Sequence, residues 1–288
     1  MRYQFIERQK KAYPMTVLCE VMEVSRSGYY DYVQRQTKRI QPPQEQALVY
    51  RVKAIHEETG GSYGSRRMAQ QLQAEGYAVG RYQARSLMRQ AEVAVKPKKR
   101  FKVTTDSRHR YPVAPNLLDR QFTVAAANRV WAADISYLWT AEGWLYLAVV
   151  IDLYSRRVIG WSLADHLRVD LVKEALTMAL WRRKPKAGLI HHSDRGSQYA
   201  CHEYQALLAK QDILCSMSRK GDCWDNAVVE RFFGSLKGER TDHRLYQTRA
   251  EAKGDVIDYI EMFYNSRRRH SYLGYSSPME FETRADVA

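Results

Sequence analysis

The chain has 288 residues, 46 of them Lys or Arg and 32 Asp or Glu, with a formal charge of +14. Such a length can bury a sizeable core and sets an expectation of two or three domains. The excess of cations points to a polyanion, nucleic acid before an anionic membrane. No apolar run approaches the ~20 residues that a spanning helix needs, so no membrane partner is expected. The charged stretch from Met1 to Lys11 lacks the apolar segment of a secretory signal. Cys19, Cys201, Cys215 and Cys223 form no C-x-x-C pair, which excludes a disulfide framework or zinc knuckle from the expectation and fits a reducing cytoplasm.

From the N-terminus, Val17, Leu18, Val21 and Met22 recur at helical spacing, Ser25, Ser27 and Gly28 break the pattern, and Tyr29, Tyr30 and Val33 resume it. Residues 1–44 are therefore expected to form helices around a turn. A second helical unit, 45–95, places Leu48, Val49, Val52 and Ile55 on one helix, Met68 and Leu72 on the next, and Leu87 and Met88 on a third. Its arginines, among them Arg66, Arg67, Arg81 and Arg85, suit a helix-turn-helix-like DNA contact. The segment 96–124 reads as a basic linker in which Lys98, Lys99 and Arg100 lie on phosphates, broken by Pro97, Pro112 and Pro115.

Beyond it the period changes to that of strands: Val130 to Trp139, Leu145 to Ile151 and Val158 to Leu163, joined by short turns as an antiparallel meander. Val172, Ala175, Leu176, Ala179 and Leu180 then form a helical stripe, with Asp170 placed to cap it. A short strand ending near His192 and Ser193, a helix from His202 to Lys210, a strand around Ile213 to Met217 and a further helix complete the order. That order predicts an α/β, ribonuclease-H-like catalytic domain over 125–288, with a C-terminal helical extension, behind small all-α units.

Three acids stand out by setting. Asp134 interrupts an apolar strand, where a charge is costly unless a cation or donors compensate it. Asp194 ends a strand, the usual place for functional groups in an open α/β sheet. Glu230 shares one helix face with Asn226, Gly234 and Lys237, while Val229, Phe232 or Phe233, and Leu236 form the core stripe. Three carboxylates in one pocket repel, and two hard dications would keep them ionised, so two Mg²⁺ ions are expected, with Mn²⁺ as a substitute. Such a pair activates the attacking oxygen and stabilises the leaving oxygen at phosphorus. Lys220, Asn226, Arg231, Lys237 and Arg268 are further candidates for DNA contact, Arg268 with packing as the alternative. His191 and His192 point to opposite faces of a strand and suit structural or phosphate-contact roles better than zinc, and Asp152 suits a turn cap.

The stretch Ser216 to Glu239, with Trp224-Asp225-Asn226 and Glu230, resembles the third catalytic motif of the insertion-sequence-three family of transposases. His192 to Tyr199 resembles the second motif and Trp131 to Tyr137 the first. The 35 residues between Asp194 and Glu230 are similar to the spacing in DDE transposases and retroviral-type integrases. Tyr264 to His270 is similar to the segment closing that catalytic domain, and Asp222 departs from the Asn often found there. The resemblance implies an integrase-type core with Asp134, Asp194 and Glu230 as catalytic and metal-binding residues. It implies cleavage at mobile-element ends and 3′-hydroxyl strand transfer into target DNA, without a covalent protein–DNA intermediate. It further implies a homo-oligomer on DNA, frameshift fusion to an upstream DNA-binding product, and a place in the bacterial cytoplasm on the nucleoid. A nuclease that hydrolyses without joining and a DNA-binding regulator with an inactive catalytic domain are the alternatives.

Overall fold

The computed structural model describes residues 1–37, 43–96, 111–219 and 223–287. Three short helices come first, α1 (Arg2–Gln9), α2 (Met15–Val21) and α3 (Arg26–Thr37), around a core of Ile6, Leu18, Cys19 and Tyr29. The expected apolar stripe is only partly inward: α2 buries Leu18 and Cys19 and leaves Val17 and Val21 exposed. Helix α1 has no apolar repeat and buries Ile6 alone.

The second unit contains α4 (Pro43–Glu58), α5 (Ser65–Ala74) and α6 (Arg81–Gln90). Val52, Ile55, Met68, Leu72, Leu87 and Met88 close its core as the periodicity predicts. Gly76, at φ +90, turns the chain between α5 and α6, a conformation that a Cβ would strain.

The α/β domain follows the predicted order: β1 (Val130–Thr140), β2 (Gly143–Asp152), β3 (Val158–Ala164), α7 (Val169–Arg183), β4 (Ile190–Ser193), a single turn α8 (Ser197–Ala200), α9 (His202–Lys210), β5 (Leu214–Met217) and α10 (Ala227–Glu239). The sheet order is β3-β2-β1-β4-β5, with β1–β2 and β2–β3 antiparallel and β1–β4 and β4–β5 parallel. Alternation along β1 and β2 sends Trp131, Ala133, Ala148 and Val150 into the core beneath α7 and α9. Ala132, Leu138, Leu147 and Val149 go to the other face, with Phe232, Phe233 and Leu236 of α10. Gly160 lets α7 lie directly on β3, since a Cβ there would come within 2.1 Å of the Ala175 carbonyl oxygen. Asp170 does not cap α7; the cap position is Arg168, without a side-chain bond, and Asp170 sits in the first turn, where its charge still suits the helix dipole.

Two further helices, α11 (Arg249–Ile257), running into a π-helical turn at Asp258–Tyr264, and α12 (Pro278–Val287), wrap the α10 face and the β3 edge. Asn265 accepts the Val158 N–H at 3.0 Å and donates to the Val158 carbonyl at 2.9 Å, imitating a neighbouring strand. Residues 111–124 are not a connector. The Ser216 hydroxyl accepts the Leu117 N–H at 2.9 Å, the Pro115 carbonyl accepts the Met217 N–H at 3.3 Å, and Leu118 is buried. An extended, proline-containing chain therefore covers the outer edge of β5, which would otherwise expose unpaired backbone groups.

Candidate active site

Asp134 lies in mid-β1 opposite Val149, Asp194 one residue past β4, and Glu230 in the first turn of α10. All three are half-buried. Each aspartate is held by its own backbone. Asp134 accepts the Ile135 N–H at 2.8 Å and Asp194 accepts the Gly196 N–H at 2.9 Å. A Cβ on residue 196 would stand 3.0 Å from that same Asp194 oxygen, so a side chain there would press on the carboxylate.

Burial pushes the Asp134 carboxyl well above the usual carboxylate range, and the charges of Asp194 and Glu230 add to the rise against the Ile135 N–H and the Lys237 ammonium. Burial also raises Glu230. Acids from a strand, a strand end and a helix thus share one electrostatic pocket. As the side chains stand, the described residues contain no three His, Cys, Asp or Glu groups close enough together to hold a metal ion.

Along α10, Phe232, Phe233 and Leu236 point inward while Gly234 is exposed. The Lys237 ammonium lies 5.0 Å from the centre of the Tyr137 ring, and burial lowers its pKa against the pull of Asp242 and Asp134. Arg231 is exposed. Asn226 is not on the open face: it is buried at the helix cap position, donates to the Ala133 carbonyl at 3.2 Å, and so ties α10 to the strand of Asp134. In the helical unit Arg66, Arg81 and Arg85 are exposed, whereas Arg67 pairs with Glu239 at 3.2 Å. Lys98, Lys99, Arg100, Lys220 and Asp222 lie outside the described residues.

Arg268 is corrected from a DNA contact to a packing residue. It is 3% exposed and donates to both oxygens of Glu239, at 2.5 and 2.7 Å, and to Ser235 at 3.1 Å. Both histidines are fully buried, which favours the structural one of their two expected roles over contact with phosphate. His191 bonds the Tyr204 hydroxyl at 3.0 Å and His192 bonds Ser216 at 2.9 Å; burial lowers their pKa values to about 3 and about 4. Asp152 caps its turn by accepting the N–H groups of Asn128 and Tyr154, at 2.8 and 2.9 Å.

Sequence reasoning missed Asp225. Its buried carboxylate accepts Arg219 Nε at 3.0 Å, Arg120 Nε at 2.9 Å and Asn116 Nδ2 at 2.9 Å. Burial pushes the group up, but the guanidiniums outweigh burial and hold it well below the usual range. This cluster fixes the entry to α10 and with it Glu230. The sequence signal was an Asp-Asn pair directly ahead of a helix.

Family models described as integrase core domain match residues 124–223 and 211–278, and one described as HTH-like domain matches 43–101. Fold and site together define a protein with an integrase core behind a helix-turn-helix-like domain. Transposase InsF for insertion sequence IS3A of Escherichia coli is 42% identical over 286 residues, covering 99% of each chain. A 31 kDa protein of insertion element IS600 of Shigella sonnei is 43% identical, covering 92% of this chain and 97% of its own. The chain belongs to the IS3 family of insertion-sequence transposases. Among solved structures, the HTLV-2 integrase catalytic core domain in complex with magnesium overlaps 54% of this chain and 96% of its own at 16% identity and a TM-score of 0.42. No helix among the described residues is long and apolar enough to cross a membrane.

Proposed function

We propose that this chain cuts DNA at the ends of a mobile element and joins the freed 3′-hydroxyl to target DNA, with Asp134, Asp194 and Glu230 as its acidic centre. The observation that carries the reading is the charge that Asp194 and Glu230 place on Asp134, which is raised by burial and by both partners, a cost that a purely structural strand residue would have no reason to keep. The donor set is all carboxylate oxygen, which fits a hard dication. Asp134 would hold two Mg²⁺ ions, or Mn²⁺ in their place, jointly with Asp194 and Glu230, and bound ions would supply Lewis-acid activation of both oxygens in line at phosphorus.

The protein's own groups do the positioning. The Ile135 and Gly196 N–H groups fix the two aspartates, and Asn226 and Asp225 fix the helix that carries Glu230. Lys237 offers an ammonium for phosphate two turns beyond Glu230, beside the open backbone at Gly234. Arg66, Arg81 and Arg85 on α5 and α6 give the helical unit a basic face for the duplex. Arg231, exposed on α10, is a further cation for DNA. The enzyme acts as a homo-oligomer that brings two element ends together, and fusion to an upstream-frame DNA-binding product completes end recognition.

Paired end oligonucleotides with Mg²⁺ test this reading. Wild-type protein should give nicked and joined strands, and Asp134→Asn should give neither while binding the same DNA with unchanged affinity, because it loses a metal ligand and no phosphate contact. Undiminished turnover in that variant refutes the assignment.

A further inference from the structure

Away from the acids, an open cavity of about 700 Å³ lies where the end of α7 passes the start of β3, lined among others by Arg157, Trp181, Arg182, Arg183, Lys184 and Glu261. Asp134 is registered with Val149 and Val149 with Trp161, while Val158, at the start of β3, is registered with Ile151. The cavity is therefore two strands over from Asp134 and displaced toward the start of β3, on the order of 10 Å or more across the sheet.

Its charges do not cancel. The Glu282 carboxylate is shared by Arg157 at 2.7 Å and Arg183 at 2.6 Å, and Arg182 pairs with Glu261 at 2.9 Å. Buried Asp152 also feels the Arg183 charge, so four lining cations meet three carboxylates and a surplus of one remains, and exposed Lys186 follows in the chain. Trp181 on the wall is 77% exposed, a large apolar surface left in water among cations. Lys184 stands at the C-cap of α7 with φ +43, a left-handed position that glycine or asparagine takes without strain. A helix C-terminus favours cations by itself. That effect accounts for neither the exposed indole nor a lysine at a strained position.

We propose that this cavity is a second DNA-binding site, which takes a backbone phosphate on Lys184, beside the lining guanidiniums, and stacks a base on Trp181. It rests on the reading of the chain as a DNA-acting enzyme and holds a stretch of DNA outside the catalytic centre.

The test uses the full chain and a fluorescently labelled DNA duplex with a single-stranded tail, with binding followed by anisotropy across a salt series. Trp181→Ala/Lys184→Ala should weaken binding roughly tenfold and reduce the log–log salt slope by about 1, with an unchanged melting temperature, since both side chains are exposed. Lys184→Gly should bind less tightly while being at least as heat-stable as wild type, an outcome that a merely structural lysine would not give. Arg81→Ala/Arg85→Ala serves as the control for the helical unit. If that control weakens binding while the cavity variants match wild type in affinity and slope, the second site is refuted and the DNA reading stands. If wild type itself shows no salt-dependent binding, both fall. If the cavity variants alter sedimentation but not the salt slope, the cavity is a contact for another protein chain and the proposal is overturned.

Discussion

Glu239 collects Arg268 on both oxygens, Arg67 at 3.2 Å and the Tyr259 hydroxyl at 2.8 Å. Burial would push its carboxyl up, yet Arg268 and Arg67 draw it below the usual range. Removing the arginine leaves the buried carboxylate with Arg67 and Tyr259 alone, so Arg268→Ala should lose roughly 1.5–3 kcal/mol in urea unfolding. The double variant Arg268→Ala/Glu239→Gln should recover part of that loss, because the under-compensated charge is gone. The DNA affinity of folded Arg268→Ala should equal that of wild type; a large fall would restore the guanidinium as a DNA contact.

On the scale of an element, α10 serves two masters. Its inner face is a packed aromatic and leucine stripe, Phe232 against Phe233 and Tyr264 with ring centres 5.4 and 4.8 Å apart. The opposite side carries Glu230, Gly234 and Lys237. A glycine in mid-helix costs roughly 0.5–1 kcal/mol relative to alanine, and here nothing lies within 4 Å of the place a Cβ would take. Packing therefore gives no reason for Gly234. Gly234→Ala should raise the melting temperature and at the same time weaken DNA binding or slow strand cleavage, as expected if a DNA backbone comes close to the helix there. Greater stability with wild-type binding and rate would show the glycine to be incidental.

The whole molecule is tied together across long sequence distances. Tyr63 of the helical unit accepts the Arg269 N–H at 2.8 Å, and Arg269 Nε donates to Gln71 at 2.7 Å. One apolar cluster runs from Val52 and Leu72 through Val149 and Phe232, so the helix-turn-helix-like unit is packed on the catalytic domain. Three imidazoles within this assembly set its response to acid. Burial holds His191 and His270 at about 3, with the His192 and Arg268 charges adding to the effect, and His192 at about 4. An unfolded chain protonates them near 6.5 and the folded chain does not, so stability is complete above about pH 6.5 and falls as the pH drops toward 3. At pH 5 the loss from His191 is roughly 2 kcal/mol. Urea midpoints at pH 7 and pH 5 should show the fall, and His191→Gln should flatten it; an unchanged slope in that variant would rule out His191 as its source.

The amino-acid sequence by itself determined the order of strands and helices from β1 to α10, the three helices of the second unit and the setting of the three acids. These are local properties: a period of two or 3.6 in apolar residues, or a charge inside an apolar strand, is read from near neighbours. The tertiary structure alone decided which charged or polar groups are satisfied inside. Arg268 meets Glu239 from 29 residues away, Arg120 meets Asp225 from 105, and Asn265 meets Val158 from 107. It also decided that 111–124 belongs to the β5 edge and that Val17 and Val21 face water. A cation written in the sequence suits phosphate and carboxylate equally, and the choice falls to whichever anion the packed chain brings within hydrogen-bonding reach.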